Sequence, residues 1–263
     1  MNKENFLITR QKNLILIVLA FLGVQQLAYS QENSEISSKQ IFEETIKYYD
    51  KDGLWDTFSG KLLMTSLRNG SFTPQTILIN NKTNLYECIR NREDGIYIKG
   101  VENGKSFFSI DGKSYEADEI PEKFQKYPYS LSTHYAFTYQ EHHMFHFSIP
   151  LALKKAGAQP LERVSKKYLF GKLCSSITFT EYPNYFEEGY YGVQITLYVI
   201  PEESYRIHAV HFDNGWGESS EGIIVLFDGE IDVEGIIVPA SKLTFFEGSH
   251  QFFMVDAFEN SGE

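Results

Sequence analysis

The chain has 263 residues, 42% hydrophobic, 15% aromatic and 22% charged, with 24 basic against 35 acidic side chains and a formal charge of −11. A surface this acidic repels phosphate backbones and anionic headgroups, so a nucleic-acid partner and electrostatic attachment to a membrane are not expected. The length suits one large β domain, or at most two small ones, with ample chain for a core.

The first thirty residues read as an address. Lys3, Arg10 and Lys12 precede the apolar run Leu14 to Val24, and Ala28-Tyr29-Ser30 has the small-x-small pattern of a signal-peptidase site. Such a run in helical form spans about 16 Å, roughly half of a hydrocarbon core, so no membrane span is expected. The expected organisation is a signal peptide over 1–30, cleaved after Ser30, and a single β-rich domain over 31–263 that is periplasmic or secreted. Cleavage removes Lys3, Arg10, Lys12 and Glu4 and takes the formal charge from −11 to −13. Neither cysteine lies near the cleavage site, so lipid attachment there is not expected.

SSKQIFEETIKYYDKDG predicts a helix capped by Ser37 or Ser38, with an apolar stripe of Ile41, Phe42, Ile46 and Tyr49 and an end at Gly53. The following Asp50-Lys51-Asp52-Gly53-Leu54-Trp55-Asp56 invites a calcium-loop reading. It fails in register, with Tyr48 at the first ligand position and Ser59 where a bidentate glutamate belongs. A helix exit into the first strand is expected instead.

Residues 57 to 115 alternate in short segments, KLLMTSLR, TPQTILIN, NLYECIR, IYIKGV and KSFFSI. Asn69-Gly70, Asp94-Gly95, Asn103-Gly104 and Asp111-Gly112 punctuate them as hairpin turns, and the block reads as an antiparallel meander. From Pro121 to Gly157 the pattern changes. A helix over 132 to 147 would carry Tyr135, Tyr139, His142 and His146 on one face and Phe137 and Met144 on the other. Aromatics all round such a helix point to one that touches protein on most sides, with Pro150 redirecting the chain after it.

His142 and His146 have the i, i+4 spacing of two helix ligands, but a third ligand is missing and there is no H-E-x-x-H base. His208 and His211 stand three apart on a predicted strand. No bound metal and no cofactor are expected.

A second meander runs from Leu173 to Phe246, through LCSSITFTEY, GVQITLYVIPEES, YRIHAVHF, GIIVLFDG, EIDVEGIIVP and SKLTFFEG. Counted together the two blocks give about ten strands. Glu230, Asp232 and Glu234 alternate with Ile231 and Val233, as on the wet side of a sheet. Tyr182 to Tyr191, YPNYFEEGYY, is a connection with five aromatics, which suits a contact surface. No nucleophile elbow, P-loop or dinucleotide fingerprint occurs, and no enzyme activity is expected.

Cys88 and Cys174 are the only cysteines. By strand phase Cys88 faces away from Leu85 and Ile89, and Cys174 away from Leu173, Ile177 and Phe179, which places both on the more polar face of the sheet. A disulfide between them and two separate thiols both fit this phase, provided for the former that the strands lie close.

Three motifs resemble a known family. A helix exit, Tyr49-Asp50-Lys51-Asp52-Gly53-Leu54-Trp55, matches a His-Asp-Pro-x-Gly-x-Trp pattern with the His and Pro replaced. Ile149-Pro150-Leu151-Ala152-Leu153-Lys154-Lys155-Ala156-Gly157 loosely matches a Leu-Pro, Lys-Leu, Asp-Pro-Gly succession, and Gly235-Ile236-Ile237-Val238-Pro239 matches a Gly-Ile-x-x-Pro strand. Over nearly the whole mature chain the order resembles exported proteins of unknown function, typical of Bacteroidota, whose fold is like that of the periplasmic lipoprotein carriers (LolA/LolB-like). The resemblance implies a mainly β (α+β) fold, a curved antiparallel sheet or open half-barrel wrapped over one or two helices, able to enclose an apolar cavity. It brings no catalytic residues.

Both readings meet on a non-catalytic exported carrier for a lipidic or other apolar ligand. Its expected site is lined by Tyr135, Tyr139, His142 and His146, with Trp55 at the mouth. The alternative is a structural or interaction module of the cell envelope that presents the aromatic loop 182–191 to an envelope protein partner.

Overall fold

The computed structural model describes residues 36–116, 119–122, 136, 140, 143, 148–180, 194–213, 222–248 and 251–261. The chain enters with helix α1 (Ser38–Tyr49) and runs through β1 (Ser59–Arg68), β2 (Ser71–Asn80), β3 (Leu85–Arg92), β4 (Gly95–Glu102), β5 (Lys105–Ile110) and the short β6 (Lys113–Ser114). Helix α2 (Ile149–Lys155) follows. Then come β7 (Ser165–Leu169), β8 (Lys172–Phe179), β9 (Ile195–Ile200), β10 (Arg206–Phe212), β11 (Ile223–Val233), β12 (Ile236–Phe246) and β13 (Phe252–Asn260).

Among the described residues these thirteen strands form one antiparallel sheet in the order β6-β5-β4-β3-β2-β1-β13-β12-β11-β10-β9-β8-β7. It is two meanders joined where the first strand, β1, pairs with the last, β13. The sheet is mostly hairpins because the turns are written into the sequence. Asn69-Gly70, Asn103-Gly104 and Asp111-Gly112 each hold both residues at positive φ, the geometry of the tight turn that matches strand twist. Glu234-Gly235 does the same, so Glu234 sits in the turn and the acidic alternation expected through it stops at Asp232.

The sheet is curved and does not close. Tyr86 and Cys88 of β3 share one apolar cluster with Ile177 and Phe179 of β8. Those strands are eight places apart in the sheet order, about 38 Å if the sheet were flat. Curvature and the two helices bring them together. Ile41, Phe42 and Tyr49 of α1 and Ile149 and Leu151–Leu153 of α2 fill the hollow, and Phe42 meets Phe179 edge-on at 4.9 Å. The expected half-barrel over one or two helices is therefore the observed fold. It has three strands more than the ten expected, β6, β7 and β13. Burial explains part of the difference, since β7 is a lysine-bearing edge strand with no buried residue and β6 is two residues long.

Helix α1 is fixed at both ends. The Ser37 hydroxyl accepts from the Gln40 amide at 3.2 Å, as the expected cap. At the other end the Asp50 carboxylate accepts from the Leu54 and Trp55 amides at 2.6 and 3.2 Å, while Gly53 turns the chain at φ +69°. Asp50 is thus the acceptor of a turn in which Lys51 is exposed. The Tyr49 hydroxyl accepts from the Ile207 amide at 3.2 Å, next to the irregularity between Ile207 and Ala209 in the β9–β10 ladder. Tyr48 donates to Glu230 at 2.6 Å, and burial together with that carboxylate pushes the Tyr48 hydroxyl up to about 12.

The cysteines lie on opposite sides of the sheet. Cys174 packs with Tyr198, Ile200, Ala209 and Ile224 on the outer face, away from Ile177 and Phe179 as its phase required. Cys88 belongs to the main core on the inner face, not to a polar outer one. Both thiols are free, since one points to the inner face and the other to the outer face of the sheet.

Replacing Asp50 with Ala should lower the stability of the purified protein by about 1–3 kcal/mol in urea denaturation, because two amides lose a shared, buried acceptor. Asp50→Asn keeps an acceptor and should lose less.

Candidate functional site

Cross-strand register sorts the inner face of the first meander into rows. One row is Leu62, Ile77, Cys88, Lys99 and Phe108. The next pairs Met64 with Gln75 on one side and Arg90 with Tyr97 on the other. Between Gln75 and Arg90 the ladder is open: β2 and β3 are paired only from Asn80–Leu85 to Thr76–Ile89. Pro74 lies just beyond, still in register with Thr65 of β1. Once β3 has parted, this end of β2 is a local edge, where a residue without an N–H is tolerated. A groove of about 220 Å³ sits at the fork on the other, outer face of the sheet, where Leu63, Thr76, Ile89, Asn91, Ala257 and Glu259 line it.

Side chains replace the missing ladder. Arg90 Nε donates to Gln75 Oε1 at 2.8 Å, and the Cys88 thiol donates to the same oxygen at 3.3 Å. This fixes the amide orientation and turns Gln75 Nε2 toward His143 Nε2, 3.4 Å away. His143 Nδ1 then faces the Tyr86 hydroxyl at 2.5 Å. With the amide as donor at Nε2, the imidazole carries its proton on Nδ1 and donates to Tyr86. Gln75, Lys99 and His143 are all buried.

This polar band runs between two apolar regions. On one side is the main core, and on the other a small cluster of Tyr97, Phe108, Ile110 and Ile120 with Tyr115 against it. Burial lowers the Lys99 ammonium to about 7, and the neighbouring Arg90 and Arg92 push it in the same direction while Cys88 opposes them. Burial raises the Cys88 thiol against the pull of Arg90 and Lys99.

The band continues across the seam of the sheet. Lys242 Nζ lies 3.3 Å from Asp256 Oδ2, both side chains only 1% exposed, and Ser66 donates to Asp256 Oδ1 at 2.6 Å. Burial lowers the Lys242 ammonium, against the pull of Asp256.

Of the residues expected to line a site, Tyr135, Tyr139, His142 and His146 lie outside the described residues, as does the loop 182–191. Trp55 is described. It is 4% exposed within the main core, stacked on Phe58 at 5.4 Å, and its buried Nε1 has no hydrogen-bond partner among the described residues. In the expected helix the described positions Ala136, Gln140 and His143 are helical, and Ala136 and His143 are buried. They share a face displaced by one residue from the one expected to line the site. His143 was therefore missed, along with Gln75, Arg90 and Lys99, since a polar residue on a strand's inner face looks like a solvent-facing one in a single sequence.

His208 lies 3.1 Å from the Leu169 carbonyl and His211 2.9 Å from Glu247. Among the described residues no group of three His, Cys, Asp or Glu side chains is arranged to hold a metal. No described helix is long and apolar enough to cross a membrane.

Two outcomes test the electrostatics. Lys242→Met alone should cost about 3–5 kcal/mol in urea denaturation, because it strands a buried carboxylate, and Lys242→Met with Asp256→Leu should cost much less. For Lys99 the ordinary value is 10.5 and the folded one about 7, so between these values the unfolded chain binds the extra proton. Stability contributed by this residue should rise with pH through that window, and Lys99→Met should remove that part of the rise when melts at pH 7 and pH 9 are compared.

No curated protein matches the chain significantly. Two solved structures are similar over most of their length. A LolA superfamily protein from Nitrosomonas europaea is 8% identical, with 86% of this chain and 92% of that one covered at a TM-score of 0.48. A DUF1329 family protein from Desulfovibrio piger is 12% identical, with 85% and 91% covered at a TM-score of 0.42. The family pattern that matches spans residues 15–212, three quarters of the sequence, and by it the chain belongs to DUF6503, a family of unknown function.

Proposed function

We propose that the protein is a non-catalytic carrier that holds a lipidic ligand against the inner face of its half-barrel, and that it works in the periplasm or outside the cell after loss of residues 1–30. The observation that carries this reading is the polar band of Gln75, Arg90, Lys99 and His143 laid between two apolar regions on the concave side of an unclosed sheet. Hydrogen-bonding groups set among apolar surface suit a ligand with a polar end and an apolar body.

A second reading, an interaction module for an envelope protein, is favoured by exposed aromatic surface on the other side. Tyr168 is 72% and Phe170 and Phe252 are each 45% exposed, and Phe245 packs between the latter two.

Native mass spectrometry of the exported chain, purified without detergent, separates the two. The carrier reading expects added mass that leaves on solvent extraction and is identified as lipid. A bare chain mass, with no uptake of lipid from added vesicles, would overturn it.

A further inference from the structure

We propose that two copies of this chain pair through the outer face of the sheet, the β7–β8 hairpin of each lying across an apolar row of the other. The contact is on the face opposite the proposed ligand, so it stands or falls apart from the carrier reading. Register places the row. Phe72 of β2 is followed by Leu67, Val255, Leu243, Leu226 and Ala209 as successive cross-strand partners, which carries it from β2 to β10. Leu226 lies between Val225 and Phe227, which belong to the main core, so the row is on the outer side.

The chain covers one end of this row itself and leaves the other bare. Ala209 and Leu226, with Tyr198, pack against Cys174 and Leu169 of the hairpin. Beyond them Leu243, Val255 and Leu67 are half-buried and Phe72 is 71% exposed. This bare part crosses four strands, about 14 Å at the usual spacing. The hairpin has a bare side too. Tyr168 and Leu173 are cross-strand partners facing away from Cys174, and they are 72% and 39% exposed. The two bare surfaces adjoin at the hairpin tip, where the Phe170 ring lies 5.3 Å from Phe245 and that ring 5.9 Å from Phe252.

A second copy fits these surfaces because each copy supplies both halves of the contact. A two-fold axis near Phe170 and Phe252 carries the hairpin of each copy onto the bare row of the other, the reciprocal arrangement of an isologous dimer. Charge agrees with this placement. Exposed Lys166 is on the same side of the hairpin as Tyr168, and exposed Asp228 and Glu259 are on the face of the row, along their strands from Leu226 and Val255. In a chain with 35 acidic against 24 basic side chains, bringing that lysine to carboxylates of the other copy offsets the general repulsion. The competing arrangement, edge pairing of β7 with β7, crowds Lys166 and Lys167 of both copies together.

The test is sedimentation velocity of the exported chain, purified without detergent, at concentrations up to about 100 μM, which reveals micromolar dissociation constants. The proposal expects a concentration-dependent shift from one chain mass to twice that mass. Tyr168→Asp and Phe72→Asp, both at exposed positions, should each weaken pairing roughly tenfold or more. Lys166→Glu should weaken it as well, and adding Asp228→Lys and Glu259→Lys should recover part of that loss, which a folding defect cannot do. A wild-type chain that stays at one chain mass throughout overturns the proposal. So does a dimer indifferent to Tyr168→Asp and Phe72→Asp, which lies on another face. Binding of a monomeric chain to phosphatidylcholine vesicles, lost in Phe72→Asp, assigns the bare row to a membrane and overturns it too. The wild-type series needs no variant, so a misfolded substitution cannot decide the result.

Discussion

Among the described residues, a sheet of thirteen strands has far more apolar face than the twelve-residue α1 and the seven-residue α2 can cover. The rest of the structure depends on this mismatch. The sheet solves it by curving, so that strands far apart in its order close upon the same two helices, and the apolar residues of the second meander meet those of the first. Phe42 against Phe179, and Tyr49 beneath Ile207, are where helix α1 takes up this work. The turn after α1 has to be exact in direction for the same reason, which is why a buried carboxylate, Asp50, is spent on two amides there.

Curvature solves the problem for the second meander better than for the first. β9 to β11 carry continuous apolar inner faces, whereas β1 to β4 carry Gln75, Arg90 and Lys99 among their apolar residues. Burying such groups costs several kcal/mol each unless they are bonded, and each of them is engaged. Polar groups so placed trade stability for chemistry. The molecule thus has a half that is chiefly scaffold and a half where hydrogen bonding and charge are held on the concave side.

Much of the fold was legible in the sequence. Alternation gave the strands of both meanders, and Asn69-Gly70, Asn103-Gly104 and Asp111-Gly112 marked hairpins whose φ values agree with them, whereas Gly95 of the expected pair Asp94-Gly95 already belongs to β4. The helix cap at Ser37 and the apolar stripe of α1 were equally plain. β7 was not, because Ser165–Leu169 is an edge strand without a buried face to produce alternation. The site was harder. Period 2 tells which residues share a face but not which face is wet, so Cys88 was assigned to the wrong side and Gln75, Arg90 and Lys99 were not singled out. Ala136, Gln140 and His143 are helical as expected, yet a wheel rotated by one residue separates His142 from His143, and only contact with Tyr86 and Gln75 picks out the latter.

The pairing of β1 with β13 also sets the order in which the molecule can assemble. Ser66 and Asp256, bonded neighbours in space, are 190 residues apart in the chain, and closing such a loop costs about 5 kcal/mol of chain entropy before any contact repays it. Hairpins within each meander close over short turns and form early. The join between them waits for the final strand. Until Phe252–Asn260 has emerged from the ribosome and docked, β1 and β12 are two open edges facing one gap, and any other extended chain that reaches them first competes for the same hydrogen bonds.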